Sequence, residues 1–396
     1  MISPRPRLSP AEAEQAARVL RAAAWSRIGD DWPAPELDAL EMAWALAHGA
    51  KDAVTVSSGT AALTLALLAL EAPPGDEVLI PAYGCPAVDA AVLGAGLTPI
   101  HVDVQADTGC LSPLAAAAAV GPRTAALIAV HFAGQPAGLA ALARVAERAG
   151  LALIEDACLA PGAAYDDRPV GSWGRAGVFS LGVGKPITAG EGGLVVTSDA
   201  ALAARVRRFR SLGEDPATGE IPCLTGNYRL SSLQAAVALP QLARLAGDVA
   251  RREAVAARLS AALPPGGPLR PLSRDPRVTR HGQAQFWLRL MDGGVASRAA
   301  VVETLRSRSV PAYVPWAVPN YAQPCYLPAR AAVWLRARDS GRDPTHYERT
   351  VCPAAAHYAF HEAIVLDADT LFALDAEVDR IAEALSRPLG DGPART

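Results

Sequence analysis

From about residue 50 to residue 200 the chain keeps one rhythm, a short apolar run rich in Val, Ile and Leu followed by a longer helical segment. This alternation constrains the fold more than any other feature, because strands that take turns with helices build a parallel sheet. The strand segments are Ala53 to Val56, Glu77 to Ile80, Pro99 to Val104, Ala125 to Val130, Leu151 to Ile154 and Leu194 to Thr197. Turn residues punctuate them at Pro73-Pro74-Gly75-Asp76, Gly121-Pro122 and Gly134-Gln135-Pro136. Each run is apolar almost throughout instead of alternating, so helices should cover both faces of the sheet. The expected class is α/β, with a mostly parallel central sheet flanked by helices and ligands at the carboxyl ends of the strands.

A long helical region from about Ser231 to Leu263, broken near Pro240, runs into the breaker Pro264-Pro265-Gly266-Gly267-Pro268. Beyond it the pattern gives a strand over Gln285 to Leu290, a helix over Ala299 to Ser307 and a closing helix over Asp375 to Leu385. These features divide the chain into a large α/β domain, residues 1–250, and a smaller C-terminal α+β domain, residues 251–396. The stretch from Trp316 to Tyr347 is rich in Pro, Arg and aromatics and shows no period.

Hydrophobic residues make up 51% of the 396 and charged residues 19%, enough apolar side chain for a substantial core. A net charge of −3 without a block of one sign gives no reason to expect nucleic acid or an anionic membrane as partner. The expected ligand is a small molecule. The longest apolar stretches, such as Ala61 to Leu70, are too short for a membrane helix, and residues 1–15 carry no apolar signal core, so the expected location is cytoplasmic. Six scattered cysteines with no C-x-x-C pair read as reduced thiols, not as a disulfide framework or a metal site.

Of the 37 basic residues all but two are arginine. A position that stays lysine against that bias is a candidate for chemistry needing a primary amine, which arginine cannot supply. Lys51, in a turn before a strand, reads as a solvated charge. Lys185 lies in the glycine-broken loop Phe179-Ser180-Leu181-Gly182-Val183-Gly184-Lys185-Pro186, where an amine can lose its proton at modest cost; the plainer alternative is an ion pair with Glu191. Pro186 follows where a nucleotide-binding P-loop needs Ser or Thr, and Gly171-Ser172-Trp173-Gly174-Arg175-Ala176-Gly177 is not a dinucleotide fingerprint.

Two further elements have both plain and chemical readings. Ser57-Ser58-Gly59-Thr60-Ala61-Ala62-Leu63 joins a strand to a helix, either as ordinary N-caps or as a turn that offers backbone N–H groups to a phosphate. Asp156 ends the strand Leu151-Ala152-Leu153-Ile154, either as a helix cap or as a carboxylate over the ligand crevice. A phosphate turn, a strand-end carboxylate and a lone amine together are the three handles of pyridoxal 5′-phosphate.

At this point the chain resembles the DegT/DnrJ/EryC1/StrS sugar aminotransferases, a family of fold type I pyridoxal phosphate enzymes. The resemblance rests on Ser58-Gly59-Thr60-Ala61-Ala62-Leu63, Pro74-Gly75-Asp76-Glu77-Val78, His131-Phe132-Ala133-Gly134-Gln135-Pro136, Ile154-Glu155-Asp156-Ala157, the segment from Phe179 through Lys185 to Gly193, and Gly226-Asn227-Tyr228-Arg229, all in the family's order. It implies that Lys185 is the Schiff-base lysine and Asp156 the partner of the pyridine nitrogen. It further implies that Gly59, Thr60, Ala61 and Ser180 hold the phosphate, and that Asn227 reaches it from a second subunit of a homodimer with shared active sites. The implied activity transfers an amino group from an amino acid, glutamate by resemblance, to a keto sugar that can be nucleotide-linked.

The chain departs from the family at two cofactor positions. Cys85 stands where an aromatic ring usually covers the pyridine, and Leu159 stands where Gln usually approaches the phenolic oxygen. Tyr83, two residues away, is a candidate for the missing ring. These departures keep two alternatives in view: a pyridoxal phosphate enzyme of different reaction (elimination, substitution or condensation), and a non-catalytic regulatory protein on the same fold. Trp316, Tyr321 and His346 are expected around the substrate pocket, while His131 reads as a structural strand-end residue, with a place near the crevice as the alternative.

Overall fold

A computed structural model describes residues 8–22, 34–216, 218–291, 298–326, 347 and 349–389. In chain order the helices are α1 (Pro10–Ala22), α2 (Pro35–Ala47), α3 (Gly59–Leu68), α4 (Ala87–Gly94), α5 (Pro113–Ala119), α6 (Leu139–Ala149), α7 (Ala200–Arg210), α8 (Ser232–Ala262), α9 (Arg298–Ser307), α10 (Pro353–His357) and α11 (Asp375–Ser386). The central strands are β1 (Asp52–Val56), β2 (Glu77–Pro81), β3 (Thr98–Val102), β4 (Thr124–Val130), β5 (Ala152–Asp156), β8 (Ala176–Ser180) and β9 (Gly193–Thr197), with the short β6 (Ala164–Tyr165) and β7 (Arg168–Pro169) between β5 and β8. The remaining strands are β10 (Leu269–Pro271), β11 (Val278–Arg280), β12 (Phe286–Leu290), β13 (Ala312–Tyr313) and β14 (Ala363–Leu366).

The seven central strands lie in the order β1-β9-β8-β5-β4-β2-β3. The five from β8 to β3 run parallel, while β9 pairs antiparallel with β8 and β1. Side-chain alternation splits the sheet into two buried faces. Leu79, Leu127, Leu153, Phe179 and Leu194 join Trp44 and Leu142 on one face. Val78, Ile80, Ile128, Ile154, Val178 and Val195 meet the apolar helix α3 on the other. Two covered faces are what the unbroken apolar runs require.

The sequence pattern misses β8, which has Ala176 and Gly177 where a strand would be expected to carry bulk. Gly177 is needed because a Cβ there would lie 2.3 Å from the Cα of Gly171. The expected break at Pro240 does not occur: α8 runs through it for 31 residues. A mid-helix proline costs about 3 kcal/mol, and packing of α8 against α1, α2 and α11 offsets that cost. Past residue 250 the same helix leads to the antiparallel sheet β10-β12-β14-β13, whose own core includes Leu288, Ile364, Leu305 and Ile381.

Candidate functional site

The carboxyl ends of β4 and β5 open onto a cleft of about 470 Å³, including its open mouth. Its lining brings together Asp156, Leu159, Lys185 and Cys85 with Tyr83, Cys158, His131, Phe132, Trp316 and Asn320. Four residues singled out as cofactor contacts thus meet in one place, although a hundred positions separate the first from the last.

Asp156 is the last residue of β5 and only 8% exposed. One of its oxygens accepts the Cys158 N–H at 3.0 Å, so the chain's next turn orients the carboxylate. Burial, followed by the negative charge of Asp156, pushes the Cys158 thiol well above its ordinary range and keeps it neutral beside the cleft. Lys185 follows a turn closed by its own N–H on the Gly182 carbonyl at 3.1 Å, with Gly184 at φ +82°. Among the described residues it forms no ion pair with Glu191; the carbonyl of Glu191 instead accepts from Gln234.

The start of α3 approaches the same place from behind Cys158. A Cβ on Gly59 would lie 2.8 Å from Ser180 Cβ and 3.0 Å from Cys158 Sγ, so only glycine lets the helix end so near β8. Ser58 caps α3 by accepting the Ala61 N–H at 3.0 Å. That bond occupies the Ala61 amide, whereas among the described residues the amides of Gly59 and Thr60 make no hydrogen bond. The Ser180 hydroxyl sits beside them and accepts the Gly182 N–H at 3.2 Å. A glycine-dependent cradle, two open amides and a hydroxyl, with a carboxylate and an amine in the adjoining cleft, fit the phosphate, ring nitrogen and aldehyde of pyridoxal phosphate. Asn227 is exposed, outside the lining of this chain's cleft, with its side-chain oxygen accepting the Arg229 N–H at 3.3 Å.

His131 takes up both of its expected places: it lines the cleft and is fully buried. Its Nδ1 accepts the Ala137 N–H at 3.0 Å, which leaves Nε2 to donate to Glu155 at 3.2 Å. The buried Glu155 carboxylate also accepts the N–H groups of Gly171, Trp173 and Gly174, and so fixes the turn before β8. Tyr83 is buried with its ring edge-on to Trp287, Trp316 and Tyr358, and its hydroxyl donates to the Trp316 carbonyl at 3.2 Å. It supports the aromatic wall. Cys85 is exposed at the mouth.

Sequence reasoning missed Asn320 and the buried Asp89 beneath it, because their partners are more than two hundred residues apart. Trp316 lines the cleft, Tyr321 packs on His101 instead, and His346 lies outside the described residues. No described helix is long and apolar enough to cross a membrane, and the described residues hold no cluster of three metal-ligating side chains.

The sequence pattern of the DegT/DnrJ/EryC1/StrS aminotransferase family matches residues 7–336. The chain is 40% identical over 264 residues to an L-glutamine:2-deoxy-scyllo-inosose aminotransferase of Micromonospora echinospora, a match that spans 64% of this chain and 63% of that relative. The structure is similar to that of 3-amino-5-hydroxybenzoic acid synthase, at 30% identity and a TM-score of 0.83 over 96% of both chains. It is also similar to that of S. venezuelae DesV solved with a ketimine intermediate, at 30% identity and a TM-score of 0.81 over 95% of this chain and 93% of that one. With the motifs, the cleft and these similarities in agreement, the chain belongs to the DegT/DnrJ/EryC1/StrS aminotransferase family.

Proposed function

We propose that this protein is a pyridoxal phosphate-dependent aminotransferase that moves an amino group from an amino acid to a keto sugar or a similar polyhydroxylated ketone. The observation that carries the reading is the meeting of Asp156 and Lys185 in one cleft beside the Gly59–Ser180 approach. When bound, the cofactor would supply an electron sink that lets a substrate carbon lose its proton. Asp156 would hold a proton on the ring nitrogen, and its buried, oriented carboxylate suits that task. Lys185 would bind the aldehyde through Nζ and, once released, carry a proton between substrate and cofactor carbons. The open amides of Gly59 and Thr60 and the hydroxyl of Ser180 would bind the phosphate, and the exposed Asn227 would extend toward the site of a second subunit in a homodimer.

The relative's name supports L-glutamine as donor beside the glutamate expected from the sequence. The test is an absorbance spectrum of the purified protein before and after either amino acid. A visible band that shifts toward the ultraviolet on addition, and returns when a ketone acceptor is added, supports the reading. A visible band that neither amino acid moves refutes amine transfer from these donors.

A second reading keeps the cofactor and changes the reaction to an elimination, substitution or condensation. It is favoured by Cys85 and Leu159 in the cleft lining, and by the similarity to a protein named as a synthase.

A further inference from the structure

The cleft lining has two origins. Asp156, Lys185 and their neighbours come from the strand ends, whereas Trp316 and Asn320 come from the aperiodic segment after β13. Asn320 is 3% exposed, and its backbone N–H donates to the Ala82 carbonyl at 2.8 Å. Its side-chain Nδ2 donates to Oδ2 of Asp89 at 2.6 Å. Asp89, buried in the first turn of α4, is not on the cleft. Its other oxygen accepts from Tyr326 Oη at 2.6 Å and from His101 Nε2 at 2.7 Å. Three donors therefore converge on one buried carboxylate, which is acceptor-only when ionised.

This arrangement decides which way the Asn320 amide points. With Nδ2 committed to Asp89, the carbonyl Oδ1 is the end left over, and among the described residues it makes no hydrogen bond. Asn320 lines the cleft whereas Asp89 does not, so the bond to Asp89 draws Nδ2 away and leaves Oδ1 as the end offered to a ligand. We propose that Asn320 Oδ1 accepts a hydrogen bond from a hydroxyl of the ketone substrate, and that Asp89 is the positioning residue that holds the amide in that orientation. The inference rests on the proposed aminotransferase function and adds the residue that tells a hydroxylated ketone from a plain one. A site built to bond a hydroxyl discriminates against the ligand that lacks it.

The experiment uses the full chain with cofactor bound and compares 2-deoxy-scyllo-inosose with cyclohexanone, by KM and by calorimetric Kd. Asn320→Ala is expected to weaken binding of the hydroxylated ketone about tenfold, the scale of one lost hydrogen bond, while changing that of cyclohexanone less than about twofold. Asn320→Asp alone sets two carboxylates against each other and is expected to weaken the hydroxylated ketone as well. Asp89→Asn combined with Asn320→Asp exchanges donor and acceptor: the new amide can donate to the new carboxylate and still accept from Tyr326 and His101. That double variant should recover the preference for the hydroxylated ketone to within about threefold. Because it keeps every hydrogen bond of the cluster, it answers the question even if Asn320→Ala does not fold.

Equal losses for both ketones in Asn320→Ala, or a double variant as weak as Asn320→Asp, would overturn the assignment. A wild-type protein whose cofactor band responds to no amino acid and that binds neither ketone overturns the proposed function first, and this inference with it.

Discussion

In the proposed function Lys185 is the side chain on which the chemistry turns, in a chain that uses arginine for nearly every other positive charge. Lys185→Arg keeps the charge and loses the nucleophilic amine. The expected outcome is a folded protein without the visible cofactor band and with turnover reduced at least about a thousandfold; a retained band would remove Lys185 from its role. Gly59→Ala is a second test, since its Cβ would meet Ser180 and Cys158 at 2.8 and 3.0 Å. Overpacking of this kind costs about 1–3 kcal/mol, and displacement of the α3 start should raise the Kd for pyridoxal phosphate in fluorescence titration. At this scale the sequence singled out Asp156 and Lys185, which the fold brings to one cleft, because each is unusual where it stands, a charge at the end of an apolar strand and a lysine among arginines. It did not reveal Asn320 or Asp89. Each is an ordinary polar residue until the fold brings His101 and Tyr326 to the same carboxylate.

Among the elements, α8 shows how local and tertiary preferences trade off. Its start is well specified: Ser231 caps the Gln234 N–H while the Gln234 side chain returns to the Ser231 N–H, a reciprocal capping box. Ser231→Ala should lower stability by about 1 kcal/mol, read as a shift of the urea midpoint with unchanged slope. Pro240, one-third of the way along, is where the pattern predicts an end and the structure shows none. The signal at Pro240 is local, whereas the packing that overrides it comes from α1, α2 and α11. The strands were legible for the converse reason: Leu79 and Leu127 pack on one face and Val78 and Ile128 on the other, so burial on both sides writes itself into neighbouring letters. β8 escaped because close backbone contact at Gly177 demanded the residue that looks least like a strand.

The whole molecule carries a pH dependence in two buried imidazoles. Burial lowers His48 to about 4 and His281 to about 3, the latter helped by Arg274 and Arg252. Both are therefore neutral in the folded chain, while in the unfolded chain each takes a proton near pH 6.5. Above that pH they have no effect on the balance. As pH falls below about 6.5 the unfolded state binds protons that the folded state refuses, and stability drops by about 1.4 kcal/mol per unit for each histidine. For His48 the loss levels off near pH 4, after about 3 kcal/mol. Urea midpoints should decline from pH 7 to pH 5, and His48→Gln should remove about one proton from the slope; an unchanged slope would show that His48 does not contribute.

Tyr326 and Tyr347 meet with ring centroids 4.4 Å apart, both against His101, and Tyr347 donates to the Pro99 carbonyl. The imidazole that donates to Asp89 is thus itself braced by two rings. His101 is in that sense a keystone: it lies outside the cleft lining, yet the rings that lock it also lock the carboxylate on which the Asn320 amide rests.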